Sequence, residues 1–238
     1  MKGERRMRVM TFNIQHALDY KRQIIDYDLF VNAIAEQNPD FCGLNEVRGK
    51  GWLKGYANQT KKLADGLGYN GYFGKAVTLD FGNPFGNALV CRYPLKSVET
   101  VIVPDPPKTE KGYYETRCVI KAVVEIDGKD ILFLVTHMGL MLGERLNAIK
   151  VICDILDSTD MPVILMGDFN NTPDAEEFKP LYERLTDTDR TGDYTYPSDK
   201  PIKKIDYIFY RGLECTRVET INKVVSDHLP IIAEFNVI

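Results

Sequence analysis

The chain has 238 residues, 44% of them hydrophobic, which is enough to bury a substantial core in one domain. Its formal net charge of −4 argues against a broad electrostatic footprint for nucleic acids, which are usually bound by a clear basic excess. No stretch approaches the roughly 18 consecutive apolar residues of a membrane-spanning helix.

The cysteines and the N-terminus indicate the cellular compartment of the protein. Five cysteines are widely spaced without any C-x-x-C pair, which favours reduced thiols over a disulfide framework or a zinc site. The N-terminus lacks the apolar stretch of a secretory signal. We therefore expect a cytoplasmic monomer that forms one domain over residues 1–238, with residues 1–6 as a disordered tail.

The first 70 residues are predicted to alternate strands with helices, and polar side chains follow each strand. The predicted strands are residues 7–14 and 41–44, and the predicted helices are Tyr27–Gln37 and residues 56–67. Asn13 lies near the end of the first strand, and Glu46 follows the second. His16 could reach the site, although a surface position is favoured for it. Trp52 could line a pocket or pack against the fold.

The middle of the chain is rich in glycine, aromatic and β-branched residues, and it predicts strands joined by turns. A hairpin or loop over residues 71–86 is followed by predicted strands at 87–91, 98–103, 116–126 and 131–136. Asp127-Gly128 favours a hairpin between the last two strands, and the second of them ends in His137. The proline-rich segment 104–112 is expected to be a surface loop that contacts substrate.

The last third of the chain repeats the same pattern of strands and polar ends. A helix over 143–156 precedes a short buried strand, 162–166, which Gly167 is predicted to end. Thr172 and Pro173 predict the cap and first turn of a helix over 174–185. A strand over 203–210 is expected to carry a carboxylate inside it, and a last strand closes the chain. Because strands outnumber helices, we expect mixed sheets with helices packed outside them.

Eight polar residues lie within, at the end of or just ahead of a predicted strand, and they include four carboxylates. They are Asn13, Glu46, His137, Asp168, Asn170, Asp206, Asp227 and His228. Each has an ordinary alternative: Asp168 could close a turn, Asp206 could pair with Lys203 or Lys204, and His137 could be a core histidine. A shared explanation is favoured because burying several carboxylates together is costly unless a cation or histidine neutralises them.

The motifs around these residues resemble those of the endonuclease/exonuclease/phosphatase superfamily of metal-dependent phosphoesterases. This group includes DNase I, abasic-site endonucleases, sphingomyelinases, inositol polyphosphate 5-phosphatases and deadenylases. The matching motifs, in chain order, are TFN with Asn13, GLNEV with Glu46, ETR with Arg117, THMG with His137, GDFNNTP with Asp168 and Asn170, KKIDYIF with Asp206, and SDHLP with Asp227 and His228.

The resemblance implies an α/β (α+β) fold, a four-layer sandwich of two central mixed β-sheets flanked by helices. It implies Mg²⁺ or Mn²⁺ as cofactor, held by Glu46 with Asn13 and Asp227, and an all-oxygen site of this kind suits either ion. Asp206 would orient His228, and either His228 or Asp168 would activate the attacking water.

By the same resemblance, three residues would hydrogen-bond the phosphoryl oxygens: Arg117, His137 and Asn170. The leading interpretation is a phosphodiesterase or phosphatase acting on a small-molecule or lipid-headgroup substrate. A nuclease with the same core is the alternative, and a non-catalytic binding protein on this scaffold is the third possibility. The complete set of motifs argues against the third.

Overall fold

Two six-stranded β-sheets lie face to face at the centre of the fold in the computed structural model, which describes residues 6–52, 57–79, 82–108, 111–189 and 192–237. The first sheet has the order β11-β12-β1-β2-β4-β3. Its strands are β1 (Arg6–Asn13), β2 (Phe41–Arg48), β3 (Asn70–Leu79), β4 (Asn83–Cys91), β11 (Glu214–Thr220) and β12 (Ile231–Asn236).

The second sheet has the order β5-β6-β7-β8-β10-β9. Its strands are β5 (Ser97–Ile102), β6 (Cys118–Ile126), β7 (Lys129–His137), β8 (Val163–Asp168), β9 (Thr186–Asp187) and β10 (Asp206–Arg211). The helices are α1 (Tyr27–Gln37), α2 (Gln59–Leu67), α3 (Leu142–Asp157) and α4 (Lys179–Tyr182).

Three layers of buried apolar side chains hold these elements together. One layer lies between the sheets, where Phe41 of β2 stacks on Phe133 of β7 with ring centroids 4.0 Å apart. A second layer packs α3 and α4 on the second sheet, and a third packs α1 and α2 on the first. The predicted four-layer sandwich of two mixed sheets flanked by helices is therefore confirmed.

Each sheet contains one parallel pair of strands, and this arrangement positions the polar residues. β1 runs parallel to β2 with Asn13 opposite Asn45, and β7 runs parallel to β8 with His137 opposite Asp168. β10 is antiparallel to β8, so its first residue, Asp206, also lies opposite Asp168. The carboxyl ends of both parallel pairs meet at one edge of the sandwich.

Several predicted boundaries are wrong for identifiable reasons. Arg6, assigned to a disordered tail, belongs to β1 and pairs with Asn236 of β12. Residues 1–5 lie outside the described residues. The predicted helix over 174–185 is reduced to the 3₁₀ turn Glu176–Phe178 and the single turn of α4. Thr172 does not cap a helix, because its hydroxyl donates to Asp174 Oδ1 at 2.6 Å instead.

Two further differences concern strands near the site. β8 continues through Gly167 to Asp168, so Gly167 does not end it. The carboxylate of Asp206 lies at the first residue of β10 rather than inside a longer strand. The strands β9 and β11 were not predicted, because β9 has only two residues and β11 alternates exposed and half-buried side chains.

Candidate active site

The carboxylate of Glu46 is directed by an irregularity in β2. The pairing of β2 with β4 shifts register between Leu44 and Val47, and Glu46 has a φ of 57°. A bulge of this kind changes the direction of side chains, and bulges are frequent next to active sites. Glu46 Oε1 accepts a hydrogen bond from Asn13 Nδ2 at 3.0 Å and faces the cavity at the sheet edge.

Asn45, the neighbour of Glu46, ties the two sheets together beneath the site. Its Nδ2 donates to Thr136 O at 2.8 Å and to Asn87 Oδ1 at 2.9 Å. Its Oδ1 accepts from Asp168 N at 2.9 Å. Fully satisfied buried amides of this kind rigidify their surroundings. Sequence reasoning missed this role, because an asparagine beside a strand-end carboxylate does not indicate a link between sheets.

Asp168 lies at the centre of the site. Its Oδ1 accepts from Asn170 N at 2.9 Å, which closes the turn after β8. Its Oδ2 accepts from Asn13 Nδ2 at 3.1 Å and lies 3.6 Å from His137 Nε2 and 3.7 Å from His228 Nε2. Asp168 therefore closes a turn with one oxygen and presents the other to the site. Burial, with the nearby carboxylate of Asp206, raises the pKa of Asp168.

His137 is held as a neutral ring by its neighbours. Arg117 Nη1 lies 3.2 Å from His137 Nδ1, and Asn170 Nδ2 lies 3.0 Å from Nε2, so both ring nitrogens face a donor. Burial, followed by the positive charges of Arg117 and His228, lowers the pKa of His137 well below its usual range. Asn170 Nδ2 also donates to Met138 O at 2.9 Å. These contacts fix the His137 ring on the wall of the site with Nε2 facing Asp168 Oδ2.

His228 forms a close pair with Asp206. Its Nδ1 lies 2.9 Å from Asp206 Oδ2, and both residues are buried. Burial alone would lower the pKa of His228, but the carboxylates of Asp206 and Asp168 raise it. The alternative pairing of Asp206 with a lysine is not seen, because Lys204 Nζ lies 3.5 Å from Asp187 Oδ1. His228 is therefore a protonated ring between two carboxylates.

A metal ion would fit at the cavity carboxylates that are not paired with a histidine. Burial, with the charge of Asp227, raises the pKa of Glu46, and Asn13 is its one side-chain hydrogen-bond donor among the described residues. A cation would compensate for this burial. Asp227 also lines the cavity and accepts from Ser226 Oγ at 3.0 Å. Glu46 and Asp227 thus offer hard oxygen ligands of the kind that Mg²⁺ prefers.

A second group of possible ligand atoms belongs to Asp168, Asp206 and His228, each of which places one such atom within 4.8 Å of the others. Because the protonated His228 already lies between these two carboxylates and offsets one of their charges, Glu46 and Asp227 fit a cation better. Asn13 Oδ1 accepts from Gln15 N at 3.1 Å while its Nδ2 faces the carboxylates, so Asn13 spaces Glu46 and Asp168 in this arrangement.

The cavity at this edge has a volume of about 800 Å³, and all the predicted site residues except Asn13 and Asp206 line it. The cavity also has lining residues that sequence reasoning did not assign, among them His16, Arg48, Tyr113, Glu115, Tyr196 and Lys203. His16 was expected at the surface. The position of Arg48, two residues after Glu46, could have indicated from sequence that Arg48 lies near the same cavity. Trp52 is 90% exposed and does not line this cavity.

The described residues of the loop 104–112 do not line the cavity, but the residue that follows the loop does. Residues 109 and 110 are outside the described residues, and Tyr113, just beyond the loop, lines the cavity. Tyr113 Oη donates to Glu115 Oε2 at 2.8 Å, and Glu115 Oε1 lies 2.9 Å from Arg117 Nη1. A chain of contacts therefore runs from the mouth of the cavity to His137.

The sequence profile of the Endonuclease/Exonuclease/phosphatase family matches residues 10–228, which include every predicted site residue. The chain belongs to this family. Family members are hydrolases of phosphoester bonds and generally depend on divalent metals. No significant match is found among curated proteins.

Solved structures of the same fold cover nearly the whole chain. An endonuclease/exonuclease/phosphatase from Beutenbergia cavernae is 25% identical with a TM-score of 0.75, over 98% of this chain and 72% of that one. A mannosyl-6-phosphatase from Bacteroides thetaiotaomicron is 18% identical with a TM-score of 0.78, over 96% and 99%. The human Nocturnin catalytic domain with bound sulfate is 21% identical with a TM-score of 0.71, over 97% and 93%. The last two show the fold alone.

None of the helices among the described residues combines the length and apolar character needed to cross a membrane.

Proposed function

We propose that this family member is a Mg²⁺- or Mn²⁺-dependent phosphatase or phosphodiesterase that acts on a small-molecule or lipid-headgroup phosphoester. The observation that carries the proposal is the meeting of Glu46 and Asp227 with Asp168 and His228 in one cavity, where Asp206 contacts His228 from behind the cavity wall. Carboxylates that suit a hard cation thus lie beside a buried acid–base group, a combination that phosphoester hydrolysis uses.

Glu46 and Asp227 would hold the metal ion, with Asn13 fixing the position of Glu46. When bound, the ion would neutralise charge on the phosphoryl group and help the leaving oxygen. Glu46 needs no large movement for this role, because its carboxylate already faces the cavity and is fixed by the 3.0 Å hydrogen bond from Asn13.

Asp168 is the proposed base for the attacking water. His228 is held protonated between Asp206 and Asp168, so it cannot accept a proton from water in this state. Burial, and then the charge of Asp206, raise the pKa of Asp168 towards neutrality, so Asp168 can accept this proton. The protonated His228 ring would then orient the water and stabilise negative charge on the phosphoryl oxygens.

His137 and Asn170 would bind the phosphoryl oxygens directly. The Nε2 side of the His137 ring lies 3.6 Å from Asp168 Oδ2, and Asn170 contacts both this ring nitrogen and Met138 O. Arg117 is buried and its Nη1 is shared by Glu115 and His137, so its proposed contribution is mainly to fix the His137 ring.

Small or lipid-linked esters are favoured over nucleic acid by charge and by one structural relative. A long polyanion needs many basic contacts, whereas this chain has a net charge of −4. The relative named as a mannosyl-6-phosphatase shares the fold over 96% of this chain and supports a small phosphomonoester as substrate. A monomer is proposed as the working unit, since all the residues used here come from one chain.

The proposal is tested with a panel of phosphoesters and supercoiled plasmid, each assayed with Mg²⁺, with Mn²⁺ and with EDTA. We expect hydrolysis of small esters that EDTA abolishes and weak or no nicking of plasmid. Glu46→Gln should weaken the response to metal, while Glu219→Gln, on exposed edge strand β11, should not. Full activity in EDTA would contradict the metal role. Efficient plasmid nicking that salt suppresses, with small esters untouched, would make the chain a nuclease.

A further inference from the structure

The backbone after β1 is strained where it brings a histidine to the cavity wall. Gln15, His16 and Ala17 have φ values of 43°, 49° and 61°. Three successive side-chain-bearing residues in the left-handed region are unfavourable, and strain of this kind concentrates at functional sites. The turn places the half-buried His16 on the wall of the cavity, close to the charge of Arg48.

Gln59, the first residue of α2, fixes His16 and Arg48 relative to each other. Gln59 is fully buried, its Oε1 accepts from Arg48 N at 2.8 Å, and its Nε2 donates to His16 O at 2.6 Å. One buried amide therefore joins the strained turn to the end of β2. Such a satisfied buried group holds two wall segments in a single geometry.

Arg48 lies further along the wall that carries the proposed metal ligand Glu46. Val47, between the two, is fully buried in the core, while Glu46 and Arg48 both line the cavity. Because both side chains line one cavity, a group bound by Arg48 would lie beside one held at the Glu46 end of the site.

The chemistry of this pair suits an oxyanion. Burial and the nearby Arg48 lower the pKa of His16 to about 4, so the ring is neutral at pH 7 and Arg48 carries the charge. A guanidinium binds carboxylate or phosphate oxygens through its fork, and a neutral imidazole adds one N–H donor. Among the described residues, no side chain or backbone group hydrogen-bonds the His16 ring, so its donor is available to a ligand.

We infer that His16 and Arg48 form a second anion subsite, which holds a carboxylate or a second phosphate of the substrate beside the phosphoester that is cleaved. The inference rests on the proposed function and specifies its substrate class: small molecules with two anionic groups, one for the metal end of the cavity and one for the wall formed by His16 and Arg48. His16 and Arg48 are substrate-positioning residues in this scheme, and neither takes part in bond cleavage.

The test compares kcat/KM for glucose 1,6-bisphosphate with kcat/KM for glucose 6-phosphate, which differ by one anionic group. We expect the wild type to favour the bisphosphate by roughly tenfold or more, as hydrogen bonds to charged groups allow. Arg48→Gln should lose most of this preference through KM, and Arg48→Lys should keep part of it. Arg217→Gln, an exposed arginine on β11, should leave the preference unchanged.

A second pair of variants separates the ring donor from the backbone turn. Asn keeps an N–H donor and tolerates left-handed backbone, so His16→Asn should keep more of the preference than His16→Ala. Thermal unfolding of each variant confirms that it is folded. A preference near one in the wild type, or one that survives Arg48→Gln, would overturn the subsite and leave the proposed function intact. Failure to hydrolyse any phosphoester would overturn both.

Discussion

The ring of His228 lies between two buried carboxylates, 2.9 Å from Asp206 and 3.7 Å from Asp168. Asp206 Oδ1 is buried without a hydrogen-bond partner among the described residues, so His228 is its principal compensation. Removing His228 would leave the Asp206 carboxylate buried without this compensation. The triad should therefore act as one unit rather than as three independent residues.

Asp206→Asn keeps the shape of the side chain but removes the charge that keeps His228 protonated and oriented. We expect kcat to fall by about 10²-fold or more. Adding His228→Ala to this variant should cost far less than the product of the single effects. Steady-state kinetics on one small phosphoester measures this. Asp154→Asn is the control, because Asp154 is an exposed residue of α3. Multiplicative losses would show that the two residues act independently.

The residue types of the site could be predicted from the residues themselves, but their contacts could not. Asp168, Asp206 and His228 lie beside strands in a recognisable pattern. The pattern alone could not choose between a lysine and a histidine as the partner of Asp206, because it does not specify that β10 starts opposite the end of β8. The family resemblance supplied the contact with His228. Similarly, His16 looked like a surface residue, because its strained turn depends on Gln59, 43 residues further on.

At the scale of single elements, β8 approaches β7 too closely to admit a side chain at one position. A Cβ at Gly167 would lie 1.8 Å from Thr136 O, and Gly167 has a φ of 146°. Sequence patterns treat such a glycine as the end of a strand, whereas here it allows the strand to continue to Asp168. The same limit applies to the predicted helix over 174–185, which tertiary packing reduces to two short turns.

Gly167→Ala should destabilise the fold strongly, since the new methyl group must displace the backbone of β7. Gly68→Ala is the matched control, because Gly68 has a φ of 70° but open space around its Cβ position. We expect the control to lose about 1–2 kcal/mol of unfolding free energy, and Gly167→Ala to lose clearly more or to fail to fold. Urea unfolding measures both, and equal losses would contradict the close approach.

At the scale of the whole molecule, the two sheets have the same arrangement of strands. Each has a central parallel pair flanked on both sides by antiparallel strands, and each edge position is taken by β3, β5, β9 or β11. The sequence showed that strands dominate, but it could not assign them to sheets, because the apolar pattern of a strand does not identify its neighbour. The resemblance to a known family supplied that arrangement.

The layer between the sheets should contribute a large share of the stability. Phe41 is fully buried and stacks on Phe133 at 4.0 Å and on Tyr93 at 5.3 Å. We expect Phe41→Ala to lower the unfolding free energy by about 3–5 kcal/mol. Trp52→Ala is the control, because Trp52 is 90% exposed and should change it by less than about 0.5 kcal/mol. Comparable losses in urea unfolding would contradict this packing.

The link made by Asn45 between the sheets also has a consequence for solvent exchange. The amide hydrogen of Asp168 is donated to the side chain of Asn45, which belongs to the other sheet. That hydrogen can be replaced by deuterium only when the link opens, so its exchange rate reports how often the two sheets separate at this edge. A separation there would also part Glu46 from Asp168, so exchange of the Asp168 amide reports how often the active site comes apart.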